Sequence, residues 1–300
     1  EPNPLPQMRL EDVEIDSQFL DLPVSAPLLI GAMTGGCKNG ELINQHLAEA
    51  AQACQIPMAL GSQRAALEQG LQQNTRRWAP TAILLSNIGA TQLQQNGLDL
   101  ARRAVESIQA NALIIHLNPL QELIQPDGDR DWSRVLEAIQ NCASRMEVPV
   151  IVKEVGAGIG PTTAIKLMDA GVKWIEVAGR GGTNWASIEL ARNSSEREQE
   201  IATPFLNWGM DTVDLLPAVY KACPEVGLIG SGGIRHGLDI ARCIRLGASM
   251  TALAQPFLAP ALESTEAVVD KILVLQEQLR WAMFLTGSKT LTNLRIAPVQ

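Results

Sequence analysis

Basic excess is missing from this chain: 24 Lys and Arg face 32 Asp and Glu, leaving a net charge of −8 over 300 residues. A general nucleic-acid binder needs the opposite balance, because its affinity comes from released counterions. An anionic small molecule is still allowed, since a local Arg or Lys cluster or a bound cation overrides the global field. Long apolar runs are missing too. None approaches the roughly 18 residues that would cross a bilayer, so no membrane partner is expected. No signal-peptide pattern opens the chain, which starts at Glu1, and a cytoplasmic protein is expected. The five cysteines (Cys37, Cys54, Cys142, Cys223, Cys243) are scattered, odd in number and without a CxxC pair. That pattern argues against a disulfide framework or a zinc site and predicts buried thiols in a reducing compartment. With 46% apolar and 19% charged residues, the composition is that of a globular protein. One domain over residues 1–300, with a lead-in over 1–26, is the expected organisation.

What is present is alternation. Eight short apolar runs read as strands: Pro27–Met33, Pro57–Gly61, Ala82–Ser86, Ala112–Leu117, Pro149–Lys153, Lys173–Ala178, Val226–Gly230 and Ser249–Ala254. Their nearly continuous apolar character fits strands buried on both faces. Between them, Glu41–Ala53, Leu98–Gln109, Trp132–Arg145, Pro161–Ala170, Thr212–Ala222 and His236–Leu246 carry helical spacing. Pro161 suits a first helical turn, and Ala170-Gly171 and Leu246-Gly247 read as helix ends. Glu263–Phe284 predicts one long closing helix, and the polar stretch Arg192–Thr203 a mobile loop. Strict βα alternation predicts an α/β fold, a closed (β/α)8 TIM barrel; an open doubly wound sheet is the alternative.

Such barrels do their chemistry at the carboxyl ends of the strands. The fourth end is the richest: His116, Asn118, Gln121, Glu122, Asp127 and Asp129 crowd the mouth of an apolar strand. His116 with Asn118 and Gln121 points to a ligand. Glu122 is a metal candidate of the kind Mg²⁺ uses, one carboxylate supplemented by phosphates and water. Asp127 and Asp129 read as turn residues around Gly128. Lys153 ends the fifth strand, where a cation would stabilise the negative charge of a reduced flavin. Gly179–Thr183 and Gly230–Arg235, with Ala254-Gln255 beside them, are glycine-rich ends suited to a phosphate. Arg64 after Ser62-Gln63 offers a guanidinium to a second phosphate.

Read in order, Ala32–Gly36 (AMTGG), Gly61–Leu67 (GSQRAAL), Ser86–Ala90 (SNIGA), His116–Glu122 (HLNPLQE), Val148–Ile159 (VPVIVKEVGAGI), Val177–Glu189 (VAGRGGTNWASIE) and Ser231–Arg242 (SGGIRHGLDIAR) resemble the type 2, FMN-dependent isopentenyl-diphosphate isomerases, from about Phe19 to Leu294. The resemblance implies flavin contacts at Met33, Thr34, Gly35, Ser62, Asn87 and Lys153. It implies contacts to the flavin phosphate region at Thr183, Gly232, Gly233, Arg235, Ala254 and Gln255. Ser62, Gln63 and Arg64 would hold the substrate diphosphate, and His116, Asn118 and Gln121 would line the substrate pocket. Glu122 would bind Mg²⁺. Gln121, His116 and Lys153 are the expected catalytic residues, with NADPH serving only to reduce the flavin. A homotetramer or homo-octamer is implied. Two departures stand out. The basic Arg-Lys…His segment that opens family members is not found before Phe19, where Arg9 stands among acidic neighbours. In Asn207–Thr212 (NWGMDT), Asp211 stands where the family usually has proline, a change expected to affect only a loop.

The implied reaction moves the double bond of isopentenyl diphosphate to give dimethylallyl diphosphate, by adding one proton and removing another. An alkene is a poor base, so the acid must be strong, close and dry. One Tyr, four Phe and six Trp give the chain few aromatic rings to shelter a cation, a gap that a reduced flavin fills. Two alternatives stay open. An α-hydroxy-acid oxidase shares the barrel, and His236 beside Arg235 imitates its catalytic pair. A flavin-binding scaffold without catalysis would keep the glycine loops and lose turnover.

Overall fold

The computed structural model describes residues 1–35, 39–193 and 195–299; Gly36 and Cys37 lie outside the described residues. Eight parallel strands close into a barrel: β1 (Leu28–Ile30), β2 (Met58–Ala59), β3 (Leu84–Gly89), β4 (Ala112–Leu117), β5 (Val150–Glu154), β6 (Trp174–Glu176), β7 (Gly227–Gly230) and β8 (Met250–Leu253). Closure comes from β8 pairing with β1, Ala252 opposite Leu29. The open doubly wound alternative is thereby excluded.

Each strand alternates between two cores. Leu84, Leu113, Ile115, Val150 and Val152 face the surrounding helices. Leu29, Leu85, Ile114, Ile151, Ile229 and Met250 fill the barrel interior. A two-stranded antiparallel hairpin (Ser17–Phe19 with Leu22–Val24) precedes the barrel. Its Phe19 is fully buried among these interior residues and meets Trp174 edge-on at 4.9 Å.

The helix at Thr212–Ala222 has the boundaries predicted. Gly247 follows the helix Gly237–Arg245 with φ of +109°, a left-handed turn that stops it before β8. Two expectations need correction, the helix after β3 and the loop Arg192–Thr203. The helix after β3 starts at Ala90, eight residues early, and runs to Ile108 across a break at Gly97, where φ is +65°. The long helix expected over Glu263–Phe284 is present as Thr265–Leu285, set off from a preceding helix Gln255–Glu263 by Ser264, which is extended and accepts a hydrogen bond from the Ala267 amide as an N-cap. Arg192–Thr203 is largely helical: Glu196–Ala202 follows Trp185–Arg192. Ser195 caps it by accepting from the Glu198 amide, and Glu196 and Glu198 favour its positive end. Ala202 joins Ile124 and Ala186 in a small apolar cluster of its own. The polar composition of the stretch hid this anchor.

Cys142, Cys223 and Cys243 are buried and Cys54 half-buried, all as free thiols. Burial pushes Cys142 up to about 11 and Cys243 up to about 12, so both stay protonated and unreactive.

Candidate functional site

Above the interior apolar layer, the next inward position on successive strands is polar. Asn87 stands on β3, His116 on β4, Lys153 on β5 and Glu176 on β6, with Ser231 just past β7. In register, His116 lies opposite Lys153 and Lys153 opposite Glu176. His116 Nδ1 pairs with Asn87 Oδ1 at 2.9 Å. Lys153 Nζ lies 3.9 Å from Glu176 Oε1, which also accepts from Ser231 Oγ at 2.8 Å. Burial and then the neighbouring ammonium of Lys153 push the His116 imidazolium down to about 3, so the ring is neutral at physiological pH.

A cavity of about 330 Å³ opens over this belt. Of the residues expected in the site, Met33, Gly35, Ser62, Arg64, Asn87, His116, Asn118, Gln121, Glu122 and Lys153 line it. A second cavity of about 160 Å³ adjoins it, sharing Gln121, Val155 and Trp185, and Thr183 lines that one with Gly181 and Gly182.

The short helix Pro119–Ile124 after β4 carries the polar cluster. Its one turn places Asn118, Gln121 and Glu122 together: Asn118 Nδ2 donates to Glu122 Oε1 at 2.8 Å and to Gln121 Oε1 at 3.3 Å. Glu122 Oε2 accepts from the Asp129 amide at 2.8 Å, so both carboxylate oxygens are oriented by the chain. Asn118 Oδ1 is the one buried side-chain polar atom without a hydrogen-bond partner among the described residues. A buried carbonyl left unpaired costs roughly 1–3 kcal/mol, which marks a place for something else to bind. No group of three His, Cys, Asp or Glu side chains able to hold a metal exists among the described residues. One carboxylate and one carboxamide oxygen fit a hard cation that keeps waters and phosphate oxygens in its shell.

Several expected residues stand elsewhere. Gln63 does not face the cavity: it is buried, and its amide donates to Gln73, Ala104 and Ser107 while its carbonyl accepts from the Asn87 amide. It fixes the β2 end to β3 and has no donor left for a diphosphate. Thr34 Oγ1 donates to Asn44 Oδ1 at 2.5 Å and ties its loop to the helix Gly40–Cys54. Gly232 and Gly233 pack backbone-on-backbone against Gly179–Gly182, where added side chains would overlap the facing loop. Arg235 Nη2 donates to Gly181 O at 3.3 Å, joining the same two loops. Ala254 and Gln255 begin the helix after β8 and line neither cavity. Asp129 is more than a turn residue. Its carboxylate accepts from Thr91, Gln92 and Gln95. Burial raises its carboxyl, but these donors outweigh that and hold it below its ordinary value.

Three residues were missed. Glu189 Oε1 accepts from Gln121 Nε2 at 3.0 Å and lines the larger cavity; it sits one turn beyond Trp185, also in the lining, and that spacing was the available signal. Glu154 Oε2 accepts four successive backbone amides, Val155 to Gly158, and so sets the loop after β5. Glu176, inside the expected strand Lys173–Ala178, accepts from Ser231 Oγ and faces Lys153. The expected loop-only effect of Asp211 also needs revision: it accepts from Arg180 Nε at 2.9 Å and so anchors the glycine loop after β6. His236 faces solvent, 3.2 Å from Asp239, and lines neither cavity, so the oxidase-like His-Arg pair is not built here.

A family model for FMN-dependent dehydrogenases matches residues 117–299. The isopentenyl-diphosphate delta-isomerase of Pseudescherichia vulneris is 48% identical over 99% of this chain and 87% of its own length. That of Stutzerimonas stutzeri is 51% identical over 98% and 86%, and that of a Nostoc species 42% over 97% and 84%. Among solved structures, a mandelate oxidase mutant with a monooxide FMN adduct superposes at a TM-score of 0.70. It is 19% identical and covers all of this chain and 87% of its own, which speaks to the barrel alone. With the glycine loops, the polar belt and near-full-length identity to such relatives, this chain belongs to the isopentenyl-diphosphate delta-isomerases, within the FMN-dependent dehydrogenase family.

Proposed function

We propose that the protein interconverts isopentenyl diphosphate and dimethylallyl diphosphate, using FMN and Mg²⁺, with NADPH as the flavin's reductant. The observation that carries the proposal is the orphaned Asn118 oxygen beside the oriented Glu122 carboxylate, at the rim of a cavity floored by Lys153 and His116. FMN would lie over the floor against Met33, Gly35, Asn87 and Lys153, its phosphate toward Thr183 and the paired glycine loops. When bound and reduced, it supplies a proton donor and an electron-rich face. Glu122 and Asn118 Oδ1 would hold Mg²⁺, which neutralises diphosphate charge.

The chain's own residues supply the rest. Arg64, exposed and paired with Glu68 at 2.9 Å, is free to turn its remaining donors to a diphosphate. Anchoring the diphosphate there spends binding energy remote from the double bond on orientation. Neutral His116 presents an uncharged imidazole, which shapes the pocket without repelling a developing cation. Gln121 is a poor base alone, but Glu189 behind it accepts from its amide and can take up the displaced proton. A cytoplasmic homo-oligomer is part of the same proposal; no helix among the described residues is long and apolar enough to cross a membrane.

The test is an anaerobic incubation of the protein with isopentenyl diphosphate, FMN, NADPH and Mg²⁺, with the product identified by NMR. Dimethylallyl diphosphate is expected, at a rate that falls on chelation. A flavin-loaded protein that yields none, or that bleaches with 2-hydroxy acids instead, overturns the proposal.

A further inference from the structure

Glu176 is the polar group that the proposed reaction leaves unused. It is 4% exposed and lies in the barrel interior, in the lining of neither cavity. Beneath it are Ile151, Trp174 and Ile229. A carboxylate taken out of water into such a place costs several kcal/mol unless it is paired and hydrogen-bonded. Here it has two partners, the Lys153 ammonium at 3.9 Å and the Ser231 hydroxyl at 2.8 Å. Lys153 in turn donates to the Glu154 carbonyl at 2.6 Å and does line the larger cavity. A ligand on the cavity floor therefore touches Lys153, while Glu176 stands directly behind it.

We propose that Glu176, held by Ser231, is a positioning residue that acts through Lys153, fixing its ammonium toward the flavin and cancelling much of its net charge there. The proposal rests on the flavin lying over Lys153, as above. A lone buried cation against the ring would favour the deprotonated, anionic reduced flavin. A compensated cation still offers directed N–H donors but leaves the protonated reduced form accessible, and an isomerase that must give a proton to an alkene needs that form. The inward register of β5 and β6 builds the pair: Lys153 lies opposite Glu176, and both side chains point inward.

The experiment is an anaerobic reductive titration of the FMN-loaded protein against a reference dye, in wild type, Glu176→Gln, Lys153→Met and the double variant Lys153→Met/Glu176→Met. Glu176→Gln leaves the cation uncompensated, so it is expected to favour reduced over oxidised FMN by about tenfold, a rise in potential of about 30 mV. Lys153→Met is expected to move the potential the other way by a similar factor. The double variant, which removes both charges and replaces them by apolar side chains that a core tolerates, is expected to return toward wild type. A purely structural Glu176 would disturb flavin affinity or melting temperature without this ordering of signs. If Lys153→Met lowers the potential and Glu176→Gln leaves it at the wild-type value, the proposal fails and the placement of the flavin stands. If neither substitution moves it, the flavin does not lie over Lys153 and the reading of the site fails with it. Should Glu176→Gln not fold, the double variant against Lys153→Met decides: no return toward wild type overturns the proposal.

Discussion

The two ends of the barrel are built from the same strands to opposite specifications. At the amino end, Phe19 plugs the interior against Trp174. Ahead of β3 and β4, Arg76 turns its guanidinium to the chain: the carbonyls of Ala79, Ala82, Ile108 and Gln109 and the side chain of Asn111 accept from it at 2.7–3.3 Å. At the carboxyl end, the inward side chains are polar, and one buried oxygen has no partner among the described residues. One end satisfies the groups it buries, whereas the other holds groups ready for something that is not protein. Closed barrels separate stability from chemistry in this way because the helices and the short αβ loops shield one rim, while the βα loops are free to vary at the other.

The largest expected effect tests the satisfied end. Phe19→Ala removes a fully buried ring from the plug and should destabilise the protein by about 3–5 kcal/mol, read as a shift in the urea midpoint. FMN affinity of the fraction that stays folded should be unchanged. If flavin affinity falls together with stability, the two ends are not independent. Arg76→Met comes next. It leaves several partly buried carbonyls without their donor, at a cost of about 1–3 kcal/mol, again with no change in flavin affinity.

The amino end was legible only as apolar pattern. The strands, their order and their inward periodicity follow from eight runs of Val, Ile, Leu and Ala, and β4 at Ala112–Leu117 was read to the residue. The plug was not legible: Phe19 sits in a three-residue strand whose other members, Ser17 and Gln18, are polar, and only the tertiary fold brings it against Trp174. At the carboxyl end the local cluster Asn118–Glu122 was readable, because one helical turn brings its members together. Partners distant in sequence were not. Gln121 meets Glu189 across 68 residues, and Ser231 meets Glu176 across 55. Gln63 was misread for the same reason, since its neighbours Gln73, Ala104 and Ser107 come from elsewhere in the chain and turn a candidate ligand group into a brace.

A smaller effect sharpens the contrast from the carboxyl end. Asn118→Leu removes a hydrogen bond to Glu122 and also removes the orphaned oxygen, so stability should stay within about 1 kcal/mol of wild type. Magnesium activation should weaken by about 10–100-fold, the usual cost of disturbing a group at or beside a metal ligand. A titration of turnover against Mg²⁺ reads this directly. Unchanged activation would take Asn118 out of the cation site, and a large loss of stability would make it part of the satisfied architecture after all.

The smallest effect distinguishes the ends by pH. His116 is held neutral, with its imidazolium pushed down to about 3 from an ordinary value near 6.5. Below about 6.5 the unfolded chain therefore takes up a proton that the folded protein refuses. The unfolded state binds more protons in that window, so stability rises with pH between about 3 and 6.5 and is lost on acidification, by at most about 1.4 kcal/mol per pH unit from this group. Above 6.5 neither state is protonated there, and the contribution is flat. The carboxylate of Asp129, held below its ordinary value, adds a slope of the same sign at lower pH, so wild type alone is not diagnostic. The diagnostic quantity is the difference from His116→Asn, which keeps a polar group toward Asn87 and cannot titrate. Urea melts of the ligand-free proteins at pH 7 and pH 5 should show wild type losing more stability than the variant. Equal losses would mean that the ring accepts its proton in place. The polar belt would then be open enough to hydrate a charge, and the carboxyl end would be less dry than a proton transfer to an alkene requires.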